Sequence, residues 1–202
     1  MADGEGQIAE CVVTAVRPGS LELAVVARRT VPVPDPLMTV VQAIPKGDRG
    51  ELAVETMTEV GVDVVVPWAA ERCVARWQAE RGARSLARWR GAAREAAKQA
   101  RRARIPEVTG LASTDDVAAR VTMATRAVLL EPGAGCALGR LPVPASGEII
   151  VIVGPEGGIS PAETTALGAA GAVACRLGPS VLRASSAGAV AAAVLLSRCG
   201  RW

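Results

Sequence analysis

From Ile149 to Val153 five β-branched residues follow one another without a polar interruption, and they run directly into Gly154-Pro155-Glu156-Gly157-Gly158-Ile159. A strand that is apolar on both faces has to be covered on both faces, which a parallel sheet flanked by helices achieves. The next residues, Ser160-Pro161-Ala162-Glu163, open a helix: Ser160 is a natural N-cap, Pro161 suits the first helical position and Glu163 completes a capping box. The segment therefore reads as buried strand, glycine turn and helix.

The same alternation extends through most of the chain. Apolar β-runs are expected at Met38 to Ile44, Val62 to Trp68, Ala127 to Leu130, Glu148 to Val153 and Val173 to Leu177. Helices are expected at Gly47 to Val60, Ala83 to Arg102, Pro161 to Ala170 and Ser185 to Ser197. Apolar strands separated by helices indicate an α/β fold with a parallel sheet. The helix from Ala83 carries Leu86, Trp89, Ala93, Ala96 and Ala100 on one stripe and Arg90, Arg94, Lys98 and Arg101 on another, so one stripe packs and the other faces solvent or phosphate.

The N-terminal part reads differently. Glu10 to Val16 and Leu21 to Val26 have a period close to two and flank a turn at Arg17-Pro18-Gly19-Ser20, as in a β-hairpin. Two strands alone are marginal, so the hairpin should lean on another element or be the remainder of a larger β-domain. Pro32, Pro34 and Pro36 follow as a stiff linker. The expected division is residues 1–36 as hairpin and linker and 37–202 as the α/β domain.

Composition narrows the chemistry. The chain has no histidine, which removes the usual general base, the histidine-activated nucleophiles and the commonest metal ligand. Five cysteines, Cys11, Cys73, Cys136, Cys175 and Cys199, lie far apart, so neither a zinc site nor a disulfide framework is expected. Phe and Tyr are also absent, which excludes an RNA-recognition sheet that stacks bases on those rings. No stretch approaches the roughly 20 apolar residues that span a bilayer, and the acidic N-terminus is unlike a secretory signal, so a cytoplasmic protein is expected.

The net charge of +3 is unevenly spread. Between Arg72 and Arg104 eleven basic residues face only Glu80 and Glu95, a local +9 that leaves −6 on the remainder. A concentrated positive block is the footprint of a polyanion partner, although a solvated helix face would give the same pattern.

A second strand end resembles the first. Val173 to Leu177 leads into Gly178-Pro179-Ser180-Val181-Leu182-Arg183 and a helix opened by hydroxyl residues. Ligands of open α/β sheets bind at the carboxyl ends of strands, so two glycine-bearing loops there could wall one pocket. Neither loop is a dinucleotide fingerprint or a P-loop.

Several short motifs occur in a recognisable order: Pro45-Lys46-Gly47-Asp48-Arg49, Thr58-Glu59-Val60-Gly61-Val62, Arg88-Trp89, Glu95-Ala96-Ala97-Lys98-Gln99, Arg104-Ile105-Pro106-Glu107, Gly154 to Gly158, and Leu177-Gly178-Pro179 to Leu182-Arg183. Over roughly residues 37 to 198 this order resembles the bacterial family that methylates N3 of a uridine in small-subunit (16S) ribosomal RNA, within the knotted SPOUT class. The resemblance implies an α/β domain with a C-terminal trefoil knot, an exception to the rule against threading, preceded by a partial β-rich, PUA-like RNA-binding domain. It implies S-adenosylmethionine as cofactor, no metal, no membrane, a homodimer, and ribosomal RNA or the small subunit as partner.

By position, the resemblance places Gly154, Gly157, Gly158 and Ile159 in one wall of the cofactor pocket, Leu177, Gly178 and Leu182 in another, and Leu130 beside Glu131 at a third strand end. Arg183 would hold the uracil carbonyls or stabilise a developing anion. Two roles are open to Glu156: general base or orienter of the base edge, and cap of its own loop. Ser186 is a weaker substrate contact or a helix cap. Arg90, Arg94, Lys98, Arg101, Arg102 and Arg104 would grip phosphates, or in part build the dimer. The chain departs from the family's pattern in starting within what looks like the second half of the β-rich domain, in having Ala184 for a common Thr, and in lacking a His before Glu131. The alternatives are a related knotted enzyme acting on a ribose 2′-hydroxyl or a transfer-RNA base, and a non-catalytic RNA-binding assembly factor.

Overall fold

The computed structural model describes all 202 residues. Two sheets form. The smaller is an antiparallel hairpin of β1 (Gln7–Arg17) and β2 (Ser20–Thr30). The larger contains β3 (Leu37–Ala43), β4 (Val64–Trp68), β5 (Glu107–Val108), β6 (Arg126–Leu130), β7 (Cys136–Ala137), β8 (Glu148–Val153) and β9 (Val173–Arg176). Its order is β5-β4-β3-β8-β6-β9-β7, and every pairing in it is parallel.

Five helices cover this sheet: α1 (Arg49–Val60), α2 (Ala79–Gln99), α3 (Thr114–Met123), α4 (Pro161–Ala169) and α5 (Ala184–Arg198). The strand β8 shows why both faces are needed. Ile149, Val151 and Val153 pack with Met57 of α1, Trp89 of α2 and Leu195 of α5, while Ile150 and Ile152 pack with Val117 of α3 and Leu167 of α4. Successive side chains point to opposite faces, so an uninterrupted apolar run feeds two cores at once. The expected covered parallel sheet is thus present. None of these helices is long and apolar enough to cross a membrane.

Boundaries moved where capping chemistry was not visible. Helix α2 was expected to reach Arg102 but ends at Gln99, because Arg101 adopts a left-handed conformation with φ 54° and the Arg102 N–H donates back to the Ala97 carbonyl. That turn is usually made by glycine, so an arginine there gives no sequence signal. Helix α3 was not anticipated. It is set by a capping box between Ser113 and Asp116 and buries only Val117 and Val121, too short a stripe to read as periodicity.

Beyond that turn Arg102 points inward. Its guanidinium donates to the carbonyls of Thr58 (2.8 Å) and Val62 (2.6 Å) and pairs with Asp63 at 3.3 Å. Asp63 also pairs with Arg201 at 2.7 Å and accepts from the Met38 N–H. Burial lowers the Arg102 pKa, and the neighbouring Asp63 opposes that shift. The cluster ties the chain's last residues to the amino ends of β3 and β4.

The hairpin leans on the α/β body only at its root. The Gly6 N–H donates to Ala103, the Ile105 N–H donates to Gly4, and Arg104 donates to the carbonyls of Val31 and Pro32. Beyond the root Val12, Val13, Val16, Leu21, Val25 and Val26 are all exposed. The linker contains a cis peptide between Asp35 and Pro36.

Candidate active site

At the carboxyl ends of β8, β6 and β9 lies a cavity of about 450 Å³. One wall is Gly154, Pro155, Glu156, Gly158 and Ile159, following β8. The opposite wall is Leu177, Gly178, Ser180, Val181, Leu182 and Arg183, between β9 and α5. Leu130, Glu131 and Pro132 close the third side, after β6. The three strand ends thus converge on one cavity.

The first wall is built on Glu163. The residue is 5 % exposed, and its carboxylate accepts from the Ser160 N–H at 3.0 Å, the Glu71 N–H at 2.8 Å and the Thr114 hydroxyl at 3.1 Å. Thr114 in turn accepts from the Trp68 indole. The expected capping box of α4 is therefore present and also joins the loop to the ends of β4 and the start of α3. Gly154 is required by close approach, because a Cβ there would lie 2.5 Å from Cγ1 of Ile159. Ile159 can then fold back over the strand end and line the cavity.

Gly157 differs from its expected place. It does not line the cavity; its carbonyl accepts from Arg72 at 3.3 Å, and a Cβ on it would meet the Arg72 backbone at 3.3 Å. The turn has rotated this residue outward, toward the loop after β4. Glu156 is exposed at the cavity rim and accepts from the backbone N–H of Lys46 at 3.3 Å, so it joins two loops rather than capping its own. Gly158 takes φ +75° and donates to Pro155.

The second wall has no such scaffold. No backbone N–H from Gly178 to Arg183 donates a hydrogen bond, and Val181 is 77 % exposed. Arg183 is the N-cap of α5, its side chain is exposed and makes no hydrogen bond or ion pair with the protein, and its carbonyl accepts from Ser186 and Ala187. Ser186 is exposed and provides no side-chain cap.

Two arginines that sequence reading passed over hold the third side. Arg176 donates to the carbonyls of Ala134 and Gly135 at 2.7 and 2.8 Å, and Arg198 donates to those of Leu138 and Leu141. They strap the irregular segment between β6 and β8 across β9 and α5. Only their last-turn and strand-end positions hinted at this work. Cys175 sits beneath the segment, beside Cys136 of the neighbouring strand. Burial, then Cys136, push its thiol up to about 12. No cluster of three or more potential metal ligands exists.

The basic stripe divides. Arg94 and Arg101 are exposed, Lys98 is exposed but pairs with Glu95 at 2.7 Å, and Arg90 donates to the Val108 carbonyl beside a groove that Ala83, Ala87, Gly91 and Arg94 also line. Arg102 and Arg104 are not free for phosphate, since their guanidiniums are committed to Asp63 and to the hairpin root.

Residues 33–196 match the model of the RNA methyltransferase domain family. The chain is 46 % identical over its full length to a ribosomal RNA small subunit methyltransferase E from Mycobacterium bovis, of which it covers 79 %. Among solved structures, a ribosomal RNA small subunit methyltransferase E from Neisseria gonorrhoeae bound to S-adenosyl methionine superposes with a TM-score of 0.83 at 28 % identity, covering 98 % of this chain and 81 % of that one. A Legionella pneumophila protein in complex with the same cofactor gives 0.85 at 27 % identity with the same coverage. With a cavity between glycine loops at the strand ends and a match over most of its length, the chain belongs to the RNA methyltransferase family, in the group named ribosomal RNA small subunit methyltransferase E.

Proposed function

We propose that this protein transfers a methyl group from S-adenosylmethionine to N3 of a uridine in small-subunit ribosomal RNA. The observation that carries the reading is the cavity between the two glycine loops, in a chain related along its whole length to a ribosomal RNA small subunit methyltransferase E.

The residues fit the cofactor. The cavity is mostly apolar, with loop backbone and a few charged side chains at its edge, as a nucleoside-sized ligand requires. Leu130, Gly154, Gly158, Ile159, Leu177, Gly178 and Leu182 would hold it, Gly157 supporting the wall from outside. When bound, S-adenosylmethionine supplies a sulfonium-activated methyl group that needs no further activation. The protein's work is then to orient the base and ease loss of its N3 proton. Arg183, free of protein partners beside the cavity, would stabilise the charge that develops on the uracil carbonyls. Glu156 at the rim would orient the base edge or accept its proton.

A trefoil knot is part of the same reading, supported by the insertion of β9 between β6 and β7 and by the bonds that Arg176 and Arg198 make to the segment before β8. Residues 1–36, the hairpin with its linker, read as a PUA-like RNA-binding element, a reading that the exposed apolar residues of the hairpin support. Arg90, Arg94, Lys98 and Arg101 would contact phosphates and give a salt-dependent affinity. A homodimer that completes each pocket is part of the same reading.

The test is incubation of small ribosomal subunits lacking the modification with the chain and S-adenosylmethionine, followed by nucleoside mass spectrometry. The expected product is N3-methyluridine. A methylated ribose, a different base, or no methyl incorporation by folded protein would overturn the reading.

A further inference from the structure

Three formally charged side chains line the cavity, Glu131, Glu156 and Arg183, so its net charge is −1. Their surroundings differ. Glu156 already accepts the Lys46 N–H. The Glu131 carboxylate makes no hydrogen bond or ion pair, although the residue's backbone is fixed on both sides: its N–H donates to Cys175 at 2.9 Å and its carbonyl accepts from Ala134 at 3.1 Å. A pinned, half-buried residue thus brings an uncompensated carboxylate to a cavity lined by Leu130, Val153, Ile159 and Leu177. Once a ligand displaces water there, a charge acts at a lower effective dielectric than in solvent.

Resting on the methyl-donor reading above, we propose that Glu131 is a specificity-determining residue that reads the positive charge of S-adenosylmethionine and so favours the donor over its demethylated product. The donor carries an ammonium, a carboxylate and a sulfonium, net +1. The product, S-adenosylhomocysteine, lacks the sulfonium charge and is net neutral. Its adenine, ribose and amino-acid groups are unchanged, so backbone contacts from the glycine loops cannot distinguish the two. A free carboxylate can, and weaker retention of the neutral product would speed its exchange for a new donor.

The experiment is calorimetric titration of the full chain with each ligand, at low and at high salt, for the native protein, Glu131→Gln, Glu131→Lys and the remote surface variant Glu107→Gln. Unfolding curves of the same samples report whether each variant is folded. The native protein should bind the donor more tightly than the product, and the ratio should fall about tenfold in Glu131→Gln. It should fall further in Glu131→Lys, stay native in Glu107→Gln, and shrink with salt in the native protein. An unchanged ratio in folded Glu131→Gln overturns the inference while leaving the donor reading intact. If Glu131→Gln does not fold, a salt-independent ratio in the native protein overturns it instead. Failure of the folded native chain to bind either ligand overturns the donor reading and the inference with it.

Discussion

The two loops that face each other across the cavity both open with Gly-Pro after a strand end, yet their mechanics are opposite. The loop after β8 is fixed from below by a buried carboxylate with three donors and from the side by Arg72 and by the Lys46 N–H. The loop after β9 has no amide donating from Gly178 to Arg183 and exposes Val181 and Leu182. Few hydrogen bonds and little burial are the structural marks of a segment that opens at low free-energy cost. A fixed wall can define where a ligand sits, and a loose one can admit it and then fold over it.

The largest effect that could break this contrast comes from Glu163. Glu163→Ala removes the acceptor of the buried Ser160 N–H and of the part-buried donors of Glu71 and Thr114, and should lower stability by about 2 kcal/mol. It should also weaken donor binding more than tenfold, read by urea unfolding and calorimetry; a small loss in both would mean that the first wall does not depend on its anchor. Next comes Gly154→Val, where the new side chain drives Ile159 out of place. Overpacking of this kind costs about 1–3 kcal/mol, and donor affinity should fall with it. Leu182→Ala on the loose wall should act on the ligand alone: unfolding midpoints unchanged, and affinity reduced about fivefold through lost apolar contact. A Leu182→Ala protein that unfolds early would show that the second wall is structural after all.

The smallest effect concerns the floor beneath these loops. With its thiol pushed up to about 12, Cys175 remains protonated at pH 8 and should resist alkylation by iodoacetamide in the folded protein, as mapped by mass spectrometry. Rapid labelling there would mean that the strapped segment over β9 opens readily and that the site lacks a firm base.

How far the sequence foretold the site follows the same division. The fixed wall was legible because its devices are local: five β-branched residues, a glycine turn and Ser160 with Glu163 three residues on. The parallel sheet was legible for the same reason. What Glu163 does beyond its own helix was not, since Glu71 and Thr114 lie 92 and 49 positions away. The outward rotation of Gly157 depends on Arg72, which is equally remote in sequence. Arg102 looked like part of a basic stripe because a non-glycine left-handed residue at Arg101 has no signature, and only the fold brings Asp63 to meet it. Short apolar stripes hid α3, and β5 and β7 are two residues each, below what a period can reveal.

The most direct test of a cavity with one fixed and one yielding wall is amide hydrogen exchange with and without saturating S-adenosylmethionine. Peptides spanning 177–183 should exchange fast in the free protein and slow strongly on binding, while the hydrogen-bonded amides of Gly158 and Ser160 should be slow already and change little. Equal protection of both loops in the free protein, or no slowing of 177–183 when ligand is added, would contradict the account.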